Sequence, residues 1–454
     1  MPKQRNRTIA ILLGLSAVVI AGVYLLATPN RPHLKYARAK NVIIISLDTL
    51  RADRLGAYGY NRETSPALDR FASDGIVFEK SVSPAPWTLP THVSLLSGLF
   101  PTTHGVTKSI HQRIPNAIPL LAEVLRETGF RTHAVTGGGY LSENYGFNRG
   151  FETFEKHRRD HEGTTSKMLK RAEELITTYR ASGEQFFVFL HTYDIHCPYA
   201  PPEPYFSMFK SDDAEYVDTD RCAKYYIKNP VNEAQAKFIS DRYDGSIRWV
   251  DDKLNGFFEF LRSSQVLNDT LVVIMSDHGE EFLERGTIGH SGSLHKELLD
   301  VPLIITGSGL APRRISTPVS LVDVKPTLLA LLGVSYQGSK PSDGRSLVAH
   351  ILGEIDSNIR PFQFAELDRE KVLRTRVDTT SQLILDIEEE SYKYVDLATD
   401  HIESGAINNM SSQKFSDQYL ALQEFLSSLG VSPKEEVVEE SGDQLNQLRT
   451  LGYL

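Results

Sequence analysis

Asn41-Val-Ile-Ile-Ile-Ser-Leu-Asp-Thr-Leu-Arg-Ala-Asp-Arg-Leu-Gly-Ala-Tyr-Gly-Tyr60 is the stretch on which the fold turns. Residues 42–47 form a short apolar, β-branched run without alternation, which suits a strand buried on both faces. The run ends in Asp48-Thr49. Working outward, the same pattern returns at 131–136, 186–190, 271–275 and 302–305, and each run predicts a strand. Helices are predicted between them. Ser65-Pro66 opens one that Gly75 closes, Pro90 and Gly98 bracket another, and 119–128, 167–180 and 326–332 give three more. Residues 232–262 read as a long amphipathic helix with a break expected near Gly245 or Gly256. Strands alternating with helices imply an α/β class with a mainly parallel sheet covered on both faces, here over residues 41–350. From about residue 355 the strands shorten and become more polar, at 381–387 and 391–395, before a helix at 416–429 and an acidic stretch at 435–440 expected to be exposed. Residues 355–454 therefore read as a small antiparallel α+β subdomain.

Toward the N-terminus, residues 8–27 are an uncharged apolar run of 20 residues. At about 1.5 Å per residue it is about as long as a bilayer core is thick. The basic residues 1–7 precede it and a polar, basic tether of residues 28–40 follows. The run is read as a single transmembrane helix rather than a cleaved signal peptide, because no Ala-x-Ala site closes it. Lys and Arg flank both ends, so charge alone does not orient it; the body is expected to be extracytoplasmic. The remaining composition is that of an ordinary globule, 41% hydrophobic and 24% charged. A net charge of −9 without a long basic block argues against nucleic acid as a partner. Two cysteines, Cys197 and Cys222, exclude a disulfide framework and leave one disulfide or two thiols open.

In parallel α/β sheets, ligands bind beyond the carboxyl ends of the strands. Three runs end there in polar clusters: Asp48-Thr49, His191-Thr192-Tyr193-Asp194-Ile195-His196, and Ser276-Asp277-His278-Gly279-Glu280-Glu281. One such Asp is ordinarily a helix cap; three clusters brought together have the makings of a metal site. The segment Pro86-Trp87-Thr88-Leu89-Pro90-Thr91-His92 adds a nucleophile. With Pro90 at the first helical position, Thr88 is expected just before the helix, where unpaired N–H groups and the dipole favour an anion. Its hydroxyl needs a base or a metal to be activated.

These motifs resemble the sulfatases of the alkaline phosphatase superfamily. The 41–60 stretch is similar to their opening strand and first metal loop. Thr64 to Phe78, Ser94-Leu-Leu-Ser-Gly98, Pro101-Thr-Thr-His-Gly-Val106, Ser276 to Phe282, Gly289-His290, Val301-Pro302-Leu303, Asp323 to Leu328 and Leu448 to Tyr453 continue the likeness. The resemblance implies an alkaline phosphatase/sulfatase-like α/β/α sandwich. One position departs: sulfatases carry Cys or Ser in Cys-x-Pro-Ser-Arg, converted to formylglycine, where this chain has Thr88-Leu89-Pro90-Thr91-His92. Thr cannot become that aldehyde. Position 49 is Thr instead of a second Asp, and Gly137-Gly138-Gly139-Tyr140 replaces a Gly-Lys-Trp-His-like motif. What remains is similar to the phosphodiesterases and phosphoethanolamine or glycerol-phosphate transferases, which use a Thr nucleophile beside a metal.

That resemblance implies one divalent ion, Zn²⁺ or Mn²⁺ ahead of Ca²⁺ or Mg²⁺, held by Asp48, Thr88, Asp277 and His278. It implies Thr88 as nucleophile and His196 and His290 as the groups that bind or protonate ester oxygens. Lys108 and His104 are candidate anion contacts, with a surface position the competing reading. Asp194 is a candidate second metal ligand or a brace for the neighbouring His. Arg51 either orients Asp48 or makes a salt bridge, and Cys197 is expected to pack. The substrate is an anionic ester, lipid- or glycan-linked if the anchor serves that purpose, with phosphorus preferred to sulfur. Transfer to an acceptor alcohol and an inactive envelope-binding protein are the alternatives to hydrolysis.

Overall fold

A computed structural model describes residues 39–451 apart from 109–110, 160–162, 336–341, 355–359, 410–412, 431–435 and 438–441. The expected anchor at 8–27 and most of the tether lie outside the described residues, among which no helix is long and apolar enough to cross a membrane.

The apolar run that opens the body becomes the strand Asn41–Leu47, every residue of it buried. It pairs in parallel with Phe186–Thr192 on one side and Thr270–Met275 on the other. Arg131–Thr136 and Thr153–Lys156 extend the parallel block. The run at 302–305 is longer than expected, Asp300–Gly307, and lies antiparallel to both Thr270–Met275 and Ile76–Val82. The sheet is therefore mixed. Arg313–Ile315 and Val319–Ser320 close its far edge beside Ile76–Val82.

Helices cover the sheet. Pro66–Ser73, Thr165–Ser182 and Glu233–Ser263 bury a shared core with the strands, including Ile43, Phe71, Ile176, Phe257 and Ile274. The expected break in the long helix is absent: Glu233–Ser263 is continuous. Gly245 serves packing instead, since a Cβ there would lie 2.3 Å from the carbonyl oxygen of Tyr205.

The C-terminal part forms the expected antiparallel sheet, five strands from Gln363–Asp368 to His401–Ala406, with the helix Gln413–Ser428 against it. Phe100 and Val322 of the main body join its core with Phe364, Leu385 and Leu422. Within the acidic stretch, Glu436–Val437 pairs with Gln112–Arg113 rather than running free.

Candidate active site

The parallel register sets the site. Leu47 lies opposite Thr192, and Ser46 opposite both His191 and Met275. The three polar clusters therefore leave the sheet side by side. Asp48, Asp277 and His278 are fully buried and place one ligand atom each within 4.8 Å of one another.

Thr88 enters on the helix Thr88–Ser97, buried along its whole length. Trp87 is its N-cap, so Thr88 is the first helical residue rather than the one before the helix, and Pro90 is the third. The first N–H groups of a helix have no intrahelical partner, so proline is tolerated there too. The preceding loop is tied to the metal-loop candidate: the Ser83 hydroxyl donates to the Asp277 carbonyl, and the Thr91 hydroxyl to the Ala85 carbonyl at 2.9 Å. Thr88 Oγ1 thereby lies 3.3 Å from Asp48 Oδ2 and 3.3 Å from His278 Nε2.

Tautomers follow from the carbonyls nearby. His278 Nδ1 donates to the Gly279 carbonyl at 3.0 Å, which leaves the Nε2 lone pair facing Thr88 and Asp277. His92, one turn beyond Thr88, donates from Nδ1 to the Thr88 carbonyl at 2.9 Å, so its Nε2 accepts from the Ser46 hydroxyl at 2.9 Å. His191 Nε2 is 3.2 Å from Asp48 Oδ2. His196 Nδ1 donates to the Cys197 carbonyl at 2.7 Å, and His290 Nδ1 meets Glu280 Oε1 at 2.8 Å. The His290 ring is 4.4 Å from that of His278 and 5.1 Å from that of His196, centroid to centroid.

The electrostatics point to a cation. Burial beside Asp277 holds the Asp48 carboxyl well above the usual carboxylate range, because two buried negative charges repel. Burial opposes ionisation of Asp277 as well, yet its histidine neighbours pull it below that range. Asp48 Oδ1 and Asp277 Oδ2 are buried without a hydrogen-bond partner among the described residues. Burial also keeps His278 neutral, and it pushes His196 down to about 3 and His290 to about 4. Paired orphan carboxylate oxygens beside a neutral imidazole nitrogen are the donor set of a divalent ion, so the residues fit the metal.

A family model for sulfatases matches residues 40–334. The chain belongs to the sulfatase family. This sulfatase-family chain is an ester hydrolase, and its fold agrees with the family's solved structures. It is 27% identical to the multifunctional alkaline phosphatase superfamily protein PehA of Trinickia caryophylli, over 79% of this chain and 87% of the relative. It is 29% identical to the low-salt glycan biosynthesis sulfotransferase Agl7 of Haloferax volcanii, over 65% of this chain and 61% of that one. The phosphonate monoester hydrolase of Agrobacterium radiobacter superposes with a TM-score of 0.71 at 20% identity, over 88% of this chain and 100% of that chain.

Several expected roles do not fit the geometry of this sulfatase-family enzyme. His104 is buried: Nε2 bonds the Ser94 hydroxyl at 3.0 Å and Nδ1 accepts from the Val106 N–H at 3.1 Å, so neither nitrogen is left for an anion. Lys108 is exposed, as the surface reading has it. Asp194 neither braces His196 nor joins the metal cluster. It accepts from the N–H groups of Thr164 and Thr165 at 2.9 Å and from both their hydroxyls, capping the helix Thr165–Ser182. Arg51 binds Asp53, Glu284 and the Glu280 carbonyl rather than Asp48. Cys197 and Cys222 form a disulfide.

Other residues, to which the sequence reading gave no role of their own beyond His191's place in a strand-end cluster, are built into the site. His92 and His191 with Asp277 form a second group of close ligand atoms. The i, i+4 spacing of Thr88 and His92 was the available signal for the first; the register opposite Ser46 is a signal for the second only once strand pairing is known. Gly137 and Gly139 make room for Tyr193: a Cβ on Gly139 would lie 2.7 Å from its hydroxyl. The Tyr193 ring stands edge-on to His191 and His196 and lines a cavity of about 170 Å³ with Arg159 and Gln447.

Proposed function

We propose that this enzyme cleaves an anionic ester through Thr88, with a phosphorus ester preferred to a sulfate. The observation that carries the reading is the Thr88 hydroxyl, buried at a helix start 3.3 Å from both Asp48 and His278. Asp48, Asp277, His278 and the Thr88 oxygen would hold one divalent ion, Zn²⁺ or Mn²⁺ by the presence of an imidazole donor. When bound, that ion lowers the pKa of the hydroxyl and neutralises the ester's charged oxygens.

The residues do the rest. The Thr88 hydroxyl donates toward Asp48 Oδ2, which aims its lone pair into the pocket. The backbone N–H groups of the first helical turn face the anion. Oγ1 gives up its proton toward Asp48 Oδ2 and attacks in line with the leaving oxygen, forming the Thr88 ester and breaking the bond to the leaving alcohol. His196 and His290, neutral in the resting fold, bind that oxygen, and the proton released from Thr88 reaches it through one of them. Water then cleaves the Thr88 ester, releasing the acid and restoring the hydroxyl. The Thr in place of Cys or Ser supports phosphorus, since the aldehyde route is closed to it. The name of the PehA relative supports a broad ester range, and that of the sulfotransferase Agl7 favours a second reading in which an acceptor alcohol replaces water.

The same proposal keeps residues 8–27 as a membrane anchor and the catalytic body extracytoplasmic, on lipid- or glycan-linked esters. The Cys197–Cys222 disulfide supports an oxidising compartment. Parallel assays of p-nitrophenyl sulfate, phosphate, phosphonate and a phosphodiester test the class, with T88A and T88S beside the wild type. T88A is expected to lose at least about a thousandfold in kcat and T88S to retain part of it. Turnover of sulfate alone would refute the phosphorus preference, and added acceptor alcohols that divert the product would favour transfer.

A further inference from the structure

A turn from the C-terminal sheet reaches the segment just before Thr88. The strand Gln363–Asp368 is pinned to the loop that leads to Thr88: the Glu366 N–H donates to the Pro84 carbonyl at 3.0 Å, and the Glu366 carboxylate accepts from the Thr102 N–H and hydroxyl. The next residue, Arg369, lands over Trp87, its guanidinium carbon 4.7 Å from the ring centroid. Trp87 is the residue before Thr88 and is 1% exposed.

The loop carrying His290 is fastened to the same segment, since the Ser291 N–H donates to the Pro86 carbonyl at 3.2 Å. Arg369 and the loop carrying His290 are thus both fastened to the segment 86–87 that leads into Thr88. Arg369 is only partly exposed, and no carboxylate among the described residues pairs with it. Of the two carboxylates flanking it in sequence, Asp368 is engaged by Arg374 and the Thr107 hydroxyl, each at 3.3 Å, and Glu370 is exposed.

A guanidinium stacked on an indole face has its plane fixed while its edge N–H groups remain available. That makes it a preorganised receptor for a planar or tetrahedral anion. The charged oxygens of the reacting ester already have the Asp48–Asp277–His278 cluster and the helix start. Arg369 stands instead on the loop before Thr88, the same loop to which the segment after His290 is tied.

We propose that Arg369 is a specificity-determining residue that selects esters whose organic portion carries a second anionic group, a carboxylate, sulfate or phosphate. The proposal rests on the reading of Thr88 and His290 as the reacting centre. It is tested with a matched pair of esters of whichever acid the wild type turns over, one of 4-nitrophenol and one of 3-carboxy-4-nitrophenol, on the full chain and on R369A, R369Q and R369K. The ratio of kcat/KM for the carboxylated over the neutral ester is expected to fall about 10- to 100-fold in R369A and R369Q, through KM of the carboxylated ester, and to be partly kept in R369K. A mere loss of packing moves both esters together and leaves the ratio alone. A ratio within twofold of wild type in both R369A and R369Q overturns the proposal. T88A on the same pair separates the two claims: turnover lost in T88A with the ratio unmoved in R369A removes the selectivity and keeps the nucleophile. Turnover retained in T88A removes the nucleophile itself.

Discussion

Replacing Asp48 by Asn is expected to stabilise the metal-free protein while destroying its response to metal. Asp48 and Asp277 are fully buried with oxygens inside a 4.8 Å cluster. Two unit charges at that separation repel by about 3 kcal/mol at an effective dielectric of about 20. Burial first, and this repulsion second, raise the Asp48 pKa above its unfolded value. A carboxyl shifted upward contributes stability that is complete below the unfolded pKa and is lost as pH rises through the folded one. D48N keeps the shape and removes that loss. In chelator at pH 8, D48N is therefore expected to be more stable than wild type by about 1 to 3 kcal/mol, the scale set by the repulsion energy, with relief of the buried charge acting in the same direction. The gap should narrow as pH falls toward 5 and close only below about 4, the unfolded value. With Zn²⁺ or Mn²⁺ at a hundred times its Kd, the wild type is expected to gain about 2.7 kcal/mol and D48N far less. Urea unfolding followed by circular dichroism, with and without chelator at pH 5 and 8, reads all four cases. A D48N protein less stable than wild type in chelator at pH 8, or equal gains from the cation, would refute the paired-carboxylate account.

Asp194→Ala strands two N–H groups and two hydroxyls that its carboxylate now satisfies. It is expected to cost about 3 to 5 kcal/mol in urea unfolding with bound metal unchanged; loss of metal at unchanged stability would restore Asp194 as a ligand. His104, held down to about 3 by burial, is neutral in the fold. A base with a depressed pKa contributes stability present above its unfolded value of about 6.5 and lost as pH falls below it. Wild type is therefore expected to lose about 1.4 kcal/mol more than H104Q for each pH unit between 6 and 4, and parallel slopes in the two proteins would contradict this.

The sheet was legible because its strands are apolar on both faces, and the motifs at their ends because α/β folds put ligands there. Direction was not legible in Asp300–Gly307, since a strand buried on both faces shows the same apolar run whether it lies parallel or antiparallel. Gly245 misled for a related reason: a glycine kept for a close approach to Tyr205 looks the same in sequence as one that ends a helix. Within the site, Asp48, Thr88, Asp277 and His278 could be read because each sits in a recognisable local motif. Asp194 could not, because its partners Thr164 and Thr165 lie 30 and 29 residues upstream. Arg369 had no local signal at all; only the docking of its hairpin on the loop before Thr88 gives it a place.

The central claim is that Thr88 becomes covalently attached to the acid it takes from the ester. Rapid quenching of the metal-loaded enzyme during turnover, followed by mass spectrometry of the peptide containing Thr88, tests it. The account predicts a phosphoryl or phosphonyl adduct on Thr88 that appears within one turnover and is absent in T88A. An unmodified Thr88 peptide under saturating substrate, together with a T88A variant that still turns over, would contradict it.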